Sequence, residues 1–293
     1  MAMTFVADNS GIVVADKLGD AYYYPFDQDV AKHQTPILGH ISVLTDVVVT
    51  RDKRFILTAD RDEKIRVSHF PLADDIQAFC LGHTEFVSKI TVPWQDRPIV
   101  ISGSGDRSVR AFNFLTGADL GNISLLEDSD TTPTYVTSLE YSNDHEVFFV
   151  SFFGMNRIFG IRVDIDTEAS SVAFRKAVDI PITHGNNPLP IRSLCIVGTI
   201  LVVICNDAEI PLRIYPDVFA LISSNQESGD DLKSACTGVT EELKSLIRTA
   251  GDEKRLDSVF FDSLGQFFNE AQAEPFVDGD DVSSKKLRTT ESV

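Results

Sequence analysis

The chain has 293 residues, of which 43% are hydrophobic, and it carries 26 Lys and Arg against 44 Asp and Glu, a formal net charge of −18. Length and hydrophobic content are those of a globular protein with a sizeable core, which excludes disorder over the whole chain. The negative charge argues against nucleic-acid binding by this chain alone, because contact with phosphates needs clustered Lys and Arg.

The sequence predicts neither a membrane span nor a secretory signal. No apolar run reaches the roughly 18 to 20 residues that cross a bilayer, and the start MAMTFVADNSG has no basic segment followed by an apolar one. The four cysteines, Cys80, Cys195, Cys205 and Cys236, are scattered, and no two of them have zinc-ligand spacing. They are predicted to be free, buried thiols in a reducing compartment, the nucleus or the cytosol.

An internal repeat of about 43 residues runs along the first part of the chain, and this is the length of a WD-type propeller blade. The segment ILGHISVLTDVVVTRDKRFILTADRDEKIRVSHF is followed by CLGHTEFVSKITVPWQDRPIVISGSGDRSVRAFNF, and an earlier copy, VVADKLGDAYYYPF, precedes both. Each unit alternates short apolar runs with charged or Gly-containing turns. The first full unit predicts the four strands DVVVT, RFILTA, KIRVSHF and IQAFCL.

Polar residues at fixed positions in each unit are expected to form a hydrogen-bonded pin beside one turn. In the first full unit we expect His40 to reach Asp62, in the turn between the second and third strands, with Thr58 in support. Asp20 stands at the same step in the earlier copy. A carboxylate that accepts from an imidazole and from backbone N–H groups fixes a tight turn. The next unit repeats the set with His83, Ser102 and Asp106.

Beyond Gly117 the strand pattern continues without Gly-His pairs. TYVTSLEYS, EVFFVSFF and RIFGIRVD predict a fourth set of strands, and IRSLCIVG, TILVVICN and PLRIYP a fifth. EDSDTTPT and THGNNPLP are expected to be surface loops. Residues 1–222 are therefore predicted to form about five blades of an all-β, WD40-type β-propeller. The apolar period then becomes helical, which predicts a helical extension packed on the propeller at 223–272 and a disordered polar tail at 273–293.

The charged segment ADRDEKIR is not expected to be a catalytic or metal site. Three basic residues adjoin Asp60 and Asp62, and they oppose the raised pKa that a carboxyl needs as a general acid. The glycine-rich SGSGDRS is not expected to hold a cofactor, because VRAFNF, a predicted strand and not a helix, follows it. His40 and His83 are predicted to be structural residues and not metal ligands.

The segments ADRDEKIRVS and CLGHTEFVS, with VADKLGDAYYY upstream, resemble the non-catalytic WD-repeat subunit of the tRNA (guanine-N7)-methyltransferase complex. The resemblance is close over residues 2–114 and continues as a blade pattern to Tyr215. It implies a seven-bladed propeller with a C-terminal extension, without catalytic residues or a cofactor of its own. Because family members carry about two more blades upstream, we expect this sequence to be an N-terminally shortened form.

The resemblance also implies a function. The propeller binds and stabilises an S-adenosylmethionine-dependent methyltransferase as a heterodimer, and that partner methylates N7 of a guanine in the variable loop of tRNA. The partner binds S-adenosylmethionine and makes most of the contact with tRNA, and no membrane is involved. The expected compartment is the nucleus, with the cytoplasm as a second one.

By the same resemblance, the segment DRDEKIR contributes to the subunit interface. Glu63 and Arg66 are the expected ion-pair residues, with Arg61 and Lys64 beside them. In the repeat itself, neither Glu63 nor Lys64 has a residue of the same charge at the aligned position. The sequence leaves open a general WD-repeat adaptor, such as a ubiquitin-ligase substrate receptor, and a propeller hydrolase with polar residues converging on a central channel.

Overall fold

The structure is a computed structural model that describes residues 2–27, 35–127, 133–143, 146–166, 170–184, 187–188, 190–197, 200–205 and 212–215. The predicted helical extension at 223–272 and the predicted tail at 273–293 lie outside the described residues, as does most of the predicted loop EDSDTTPT. In the described part of the chain every regular element is a β-strand. No helix there is long and apolar enough to cross a membrane.

The strands form sheets that follow one another along the chain, as the blades of a β-propeller do. Four sheets have four antiparallel strands each, namely β1 (Ala2–Phe5), β2 (Gly11–Ala15), β3 (Asp20–Pro25) and β4 (Leu38–Gly39); β5 (Leu44–Val49), β6 (Phe55–Asp60), β7 (Lys64–His69) and β8 (Ile76–Leu81); β9 (Val87–Thr91), β10 (Ile99–Ser104), β11 (Ser108–Asn113) and β12 (Asp119–Ser124); and β13 (Val136–Ser142), β14 (Val147–Phe152), β15 (Arg157–Asp166) and β16 (Ser171–Pro181). A short pair follows, β17 (Thr183–His184) and β18 (Asn187–Pro188), and then a three-stranded sheet of β19 (Ile191–Val197), β20 (Ile200–Cys205) and β21 (Leu212–Tyr215). The predicted all-β class with blade-like sheets is confirmed.

The core lies between consecutive sheets. The second strand of the middle three sheets, FILTAD, IVISGS and VFFVSF, is buried at every position, because a neighbouring sheet covers each of its faces. Ile65 and Val67 of the second sheet, for example, pack in one cluster with Val100 and Phe112 of the third. The outermost strands β8 and β12 are mostly exposed or half-buried, so polarity increases from the inner strands to the rim.

The fourth sheet contains a strand that the sequence pattern did not predict. β16 pairs with β15 in a long hairpin that closes at Asp166 and Ser171. Charged residues interrupt the apolar pattern of this strand. Arg175 is exposed and forms an ion pair with Asp164, and Lys176 is exposed and forms one with Asp179. The segment at 183–190, predicted to be a loop, contributes the two short strands β17 and β18 to a two-residue ladder.

Charged side chains connect the first strands of three consecutive sheets, which contact one another. Asp46 on β5 places Oδ1 3.7 Å from Nζ of Lys89 on β9, and its Oδ2 accepts the N–H of Ile90 at 2.9 Å. Burial raises the pKa of the Glu140 carboxyl on β13 to about 7, with Lys89 opposing and Asp46 adding to the rise. Between pH 4.5 and about 7, the folded protein thus holds a proton on Glu140 that an unfolded chain would release.

Replacing Glu140 with Gln should make the protein more stable above neutral pH. The folded-state pKa of Glu140 is raised from 4.5 to about 7, so the folded state binds more protons than the unfolded state between these values. Wild-type stability therefore falls as pH rises through that window. Glu140→Gln removes this loss, and urea unfolding at pH 8 should give a gain of about 1–3 kcal/mol over wild type, disappearing below pH 4. The exposed Glu85→Gln is the matched control and should show no such pH-dependent gain.

Candidate functional site

The charged segment predicted to bind a partner is the turn between β6, which ends at Asp60, and β7, which begins at Lys64. Asp60 Oδ1 accepts the backbone N–H groups of Asp62 at 2.9 Å and of Lys64 at 3.1 Å. The N–H of Arg61 donates to the carbonyl of Val43 at 3.0 Å. One buried carboxylate therefore fixes the turn, and residues 61–63 are left exposed on it.

The carboxylate that meets His40 is Asp60 and not Asp62. His40 Nδ1 donates to Asp60 Oδ2 at 3.0 Å, and its Nε2 lies 2.9 Å from Thr58 Oγ1. Burial opposes ionisation of Asp60, but the hydrogen bonds from His40 and from the Lys64 N–H outweigh it, and the pKa of Asp60 is lowered. The side chain of Asp62 is 56% exposed, and its nearest cation is Lys64 Nζ at 3.7 Å.

The next repeat has the predicted set of residues in contact. His83 Nδ1 donates to Asp106 Oδ2 at 2.8 Å, and its Nε2 lies 2.8 Å from Ser102 Oγ. Asp106 also accepts the backbone N–H groups of Thr84 at 3.1 Å and Ser108 at 2.9 Å. Burial is again the opposing effect, and the hydrogen bond from His83 leaves the pKa of Asp106 well below its usual range. Each repeat thus has a carboxylate that binds its histidine, Asp60 in one and Asp106 in the next, but the two aspartates stand two residues apart in the aligned repeats.

The physical reason for the difference is strand alternation. Thr58 and Asp60 are two residues apart on β6, so both side chains point to the same face, where His40 lies. In the next repeat Ser104 occupies the position of Asp60; its shorter side chain accepts the N–H of Asp106 at 3.1 Å, and the turn residue Asp106 reaches the imidazole instead. The spacing of Thr58 and Asp60 was the signal in the sequence that could have identified the pin.

The first sheet has the same turn. Asp16 Oδ1 accepts the N–H groups of Leu18 at 2.8 Å and Asp20 at 3.0 Å, as Asp60 Oδ1 does for residues 62 and 64. Asp20 therefore corresponds to Lys64 and not to the turn carboxylate that the sequence pattern indicated. The repeat is present in three sheets, but its true register places Asp16, Asp60 and Ser104 at one step.

Glu63 occupies a left-handed backbone position, with a φ of 68°. The corresponding residues are Gly19, with a φ of 96°, and Arg107, with a φ of 66°. A residue other than glycine pays about 1 kcal/mol or more for this conformation. The turn would therefore prefer glycine at residue 63, and the fold supplies no reason for a glutamate there.

The side chains predicted to contact a partner differ in what they do inside the chain. Glu63 is exposed and makes no hydrogen bond or ion pair with the residues that the structure describes. Lys64 is 38% exposed and has its Nζ 3.9 Å from Asp60 and 3.7 Å from Asp62, distances of loose ion pairs. Arg61 is exposed beside them. These three form the charged turn, which is accessible to another protein.

Arg66 has a structural role within the chain. Its Nε donates to Ser68 Oγ at 2.9 Å, Nη1 to the carbonyl of Gly39 at 3.1 Å and Nη2 to the carbonyl of Ala73 at 2.7 Å. Burial lowers the pKa of the guanidinium, which is offset in part by Asp74. Arg66 thus ties the second sheet to the end of β4 in the first. Three of its five N–H donors are used in these contacts.

The described residues contain no group of three or more His, Cys, Asp and Glu placed to hold a metal ion. The glycine-rich segment at 102–108 leads into the strand β11, as predicted, so its N–H groups do not open a helix. The charged turn, fixed by the Asp60 carboxylate and exposed at residues 61–63, is an arrangement suited to recognition by another macromolecule.

Comparison with known proteins gives this surface a context. The family model described as the tRNA methyltransferase TRM82 WD40 domain matches residues 27–187, more than half of the chain. A curated relative named tRNA (guanine-N(7)-)-methyltransferase non-catalytic subunit TRM82, from Kluyveromyces lactis, is 34% identical over 225 residues, with a coverage of 67% of this chain and 50% of that protein.

Two animal proteins carry the same description. The non-catalytic subunit WDR4 of Homo sapiens is 46% identical over 119 residues, covering 41% of this chain and 29% of the relative. The non-catalytic subunit wuho of Drosophila mojavensis is 42% identical over 122 residues, covering 41% of this chain and 31% of the relative. The chain thus spans half or less of the length of these relatives.

Proposed function

The chain belongs to the family of the tRNA methyltransferase TRM82 WD40 domain, and on this premise we propose that it is a non-catalytic scaffold that binds and stabilises a methyltransferase. The partner is the S-adenosylmethionine-dependent enzyme that forms N7-methylguanosine in the variable loop of tRNA. The proposal is supported by relatives whose names describe non-catalytic subunits of this enzyme. The observation that carries it is the charged turn, held rigidly by a buried pin and exposed at residues 61–63.

In this proposal, the net charge of the chain decides which subunit contacts the tRNA. The net charge of −18 disfavours direct contact with the tRNA backbone, so the partner carries most of that contact and binds S-adenosylmethionine. The scaffold and the enzyme form a heterodimer, with the nucleus as the main compartment and the cytoplasm as a second one.

The charged turn is the proposed contact with the enzyme. Glu63 and Lys64 offer charges of both signs at one rim, with Arg61 beside them, and such ion pairs contribute orientation and association rate more than affinity. Arg66 belongs to the same surface. Its hydrogen bonds to Gly39 at the end of β4 and to Ala73 in the β7–β8 connection make it the residue that holds β7 in place.

Co-expression of the full chain with the methyltransferase of the same organism tests the function. We expect the two to co-purify in equal amounts, and we expect the complex to methylate tRNA faster than the enzyme alone. A general adaptor would instead recover an assortment of ubiquitin-ligase components without the methyltransferase. Recovery of such an assortment, or unchanged methylation with and without the chain, would refute the scaffold.

Replacing Glu63 with Gly should separate folding from binding. Relief of the left-handed conformation, at φ 68°, should raise stability by about 1 kcal/mol, measured by urea unfolding. Removal of the carboxylate should at the same time weaken binding to the methyltransferase by about tenfold, measured by calorimetry. The charge reversal Glu63→Lys keeps the strained backbone and should weaken binding at least as much without the gain in stability.

The matched control is Arg107→Gly, which changes the corresponding turn of the next repeat at φ 66°. It should leave the affinity for the methyltransferase unchanged. If both Glu63 variants bind the enzyme as well as wild type does, Glu63 is not part of the interface.

A further inference from the structure

Large apolar side chains are exposed on β8, the outermost strand of the second sheet. Ile76 is 43% exposed, Phe79 42% and Leu81 58%. Leu81 is paired with Lys64 and Phe79 with Arg66 in the antiparallel ladder between β7 and β8. Residues directly opposite each other on neighbouring strands point to the same face of the sheet. Phe79 and Leu81 therefore lie on one face with Lys64 and Arg66.

The exposure of this face does not come from a loose strand. The opposite face of β8 carries Cys80, which is 1% exposed and packs in the core with Ile65 and Val67. The side-chain amide of Gln77 donates to the carbonyl of Leu115 at 2.9 Å, and Gly117 leaves just enough room for the carbonyl of Phe79. The strand is thus held by the next sheet, while Phe79 and Leu81 on its other face stay partly exposed.

The patch continues the charged turn without a break. Lys64 is the first residue of β7 and the last of the turn, and Leu81 lies directly across from it. Ile41, which is fully exposed, follows two residues after Gly39, whose carbonyl Arg66 holds. A specific protein interface has an apolar, aromatic centre and a polar rim, and this face has both parts adjacent. Beside this apolar surface the turn carries the exposed side chains of Arg61, Asp62 and Glu63 together with Lys64, so the rim offers charges of both signs to a partner.

We propose that Phe79 and Leu81 form the apolar centre of the surface that docks the catalytic methyltransferase subunit, with the charged turn as its rim. The inference rests on the proposed function and extends it to residues that the sequence pattern placed in an ordinary strand. Burial of an aromatic anchor at the centre of an interface contributes far more affinity than an ion pair at the rim. Phe79 is accordingly expected to dominate binding, and Glu63 and Lys64 to select and orient the partner.

The test is the double substitution Phe79→Ser with Leu81→Ser in the full chain, co-expressed with the methyltransferase of the same organism. Calorimetry should show binding weakened by about 30-fold or more, beyond the effect of Glu63→Gly. Leu72→Ser is the matched control: Leu72 is 80% exposed, but it lies in the β7–β8 connection at the other end of the strand pair, and its substitution should leave binding unchanged. Phe79→Leu keeps an apolar residue and should lose only part of the affinity for the methyltransferase. This variant tests the apolar centre if the double variant folds poorly.

The outcomes separate this inference from the proposed function. If Glu63→Lys weakens binding while the Phe79 and Leu81 variants bind as wild type does, the apolar centre is refuted and the scaffold stands. If the wild-type chain does not bind the methyltransferase at all, both fall. A wild-type chain that is dimeric by light scattering, and becomes monomeric with the double substitution, would assign the face to a second copy and refute the inference. The inference would also be refuted if the double substitution abolished tRNA binding and left binding of the methyltransferase unchanged.

Discussion

Replacing Asp60 with Ala is expected to lower the free energy of unfolding by about 3 kcal/mol. Asp60 is 1% exposed, and its two oxygens serve the His40 imidazole and the N–H groups of Asp62 and Lys64. Truncation leaves three donors in and beside a buried site without an acceptor. Asp62→Ala, two residues away, should change stability by less than about 0.5 kcal/mol, because that side chain is exposed. Urea unfolding of the two variants measures the contrast.

The pair of variants decides which of the two carboxylates, Asp60 or Asp62, forms the pin with His40. Equal effects, or a larger effect of Asp62→Ala, would contradict the assignment of Asp60 as the pin. The stability carried by Asp60 should also be lost in acid: its pKa is lowered by the hydrogen bond from His40, so the contribution is present above the ordinary Asp range and disappears as pH falls through the lowered folded value. Asp60→Ala should therefore show a smaller loss of stability between pH 5 and pH 2 than wild type.

Replacing Arg66 with Met should cost about 2 kcal/mol of stability. The substitution removes hydrogen bonds to Gly39, Ser68 and Ala73, and with them the tie between the second sheet and β4. Lys64→Met removes a cation from the same strand, but Lys64 has only loose ion pairs, so its stability should stay within about 0.5 kcal/mol of wild type. Thermal and urea unfolding compare the two.

Binding to the methyltransferase then distinguishes the roles of the two cations. If Arg66 acts by holding β7 against Gly39 and Ala73, the Arg66→Met variant should regain affinity for the methyltransferase when low temperature stabilises the chain. The affinity of Lys64→Met should stay low under the same conditions. An Arg66→Met protein as stable as wild type that fails to bind the enzyme would instead make Arg66 a direct ion-pair residue. A charge reversal at Arg66 is a poor probe of the interface, because it disturbs the fold at the same time.

The difference between these two residues could not be read from the sequence. Arg66 and Lys64 have the same charge, lie two residues apart and occur in the same motif. Their roles differ because Gly39, 27 residues before Arg66, and Ala73, in the β7–β8 connection, supply carbonyl oxygens at its guanidinium. The position of Asp60 was closer to being predictable, since its spacing from Thr58 follows from strand alternation. The repeat alignment pointed to Asp62 because the next unit has its aspartate two residues later.

By itself, the sequence determined the repeat, the four strands of the second sheet, the set of His83, Ser102 and Asp106, and the location of the charged turn. These follow from local periodicity and from spacing within one unit, which are properties of neighbouring residues. Tertiary structure decided which carboxylate is buried and which carbonyl groups accept the hydrogen bonds of Arg66. It also decided that Phe79 and Leu81 share a face with Lys64 and Arg66. These depend on the pairing of strands and on contacts between sheets, where distances in space are unrelated to distances along the chain.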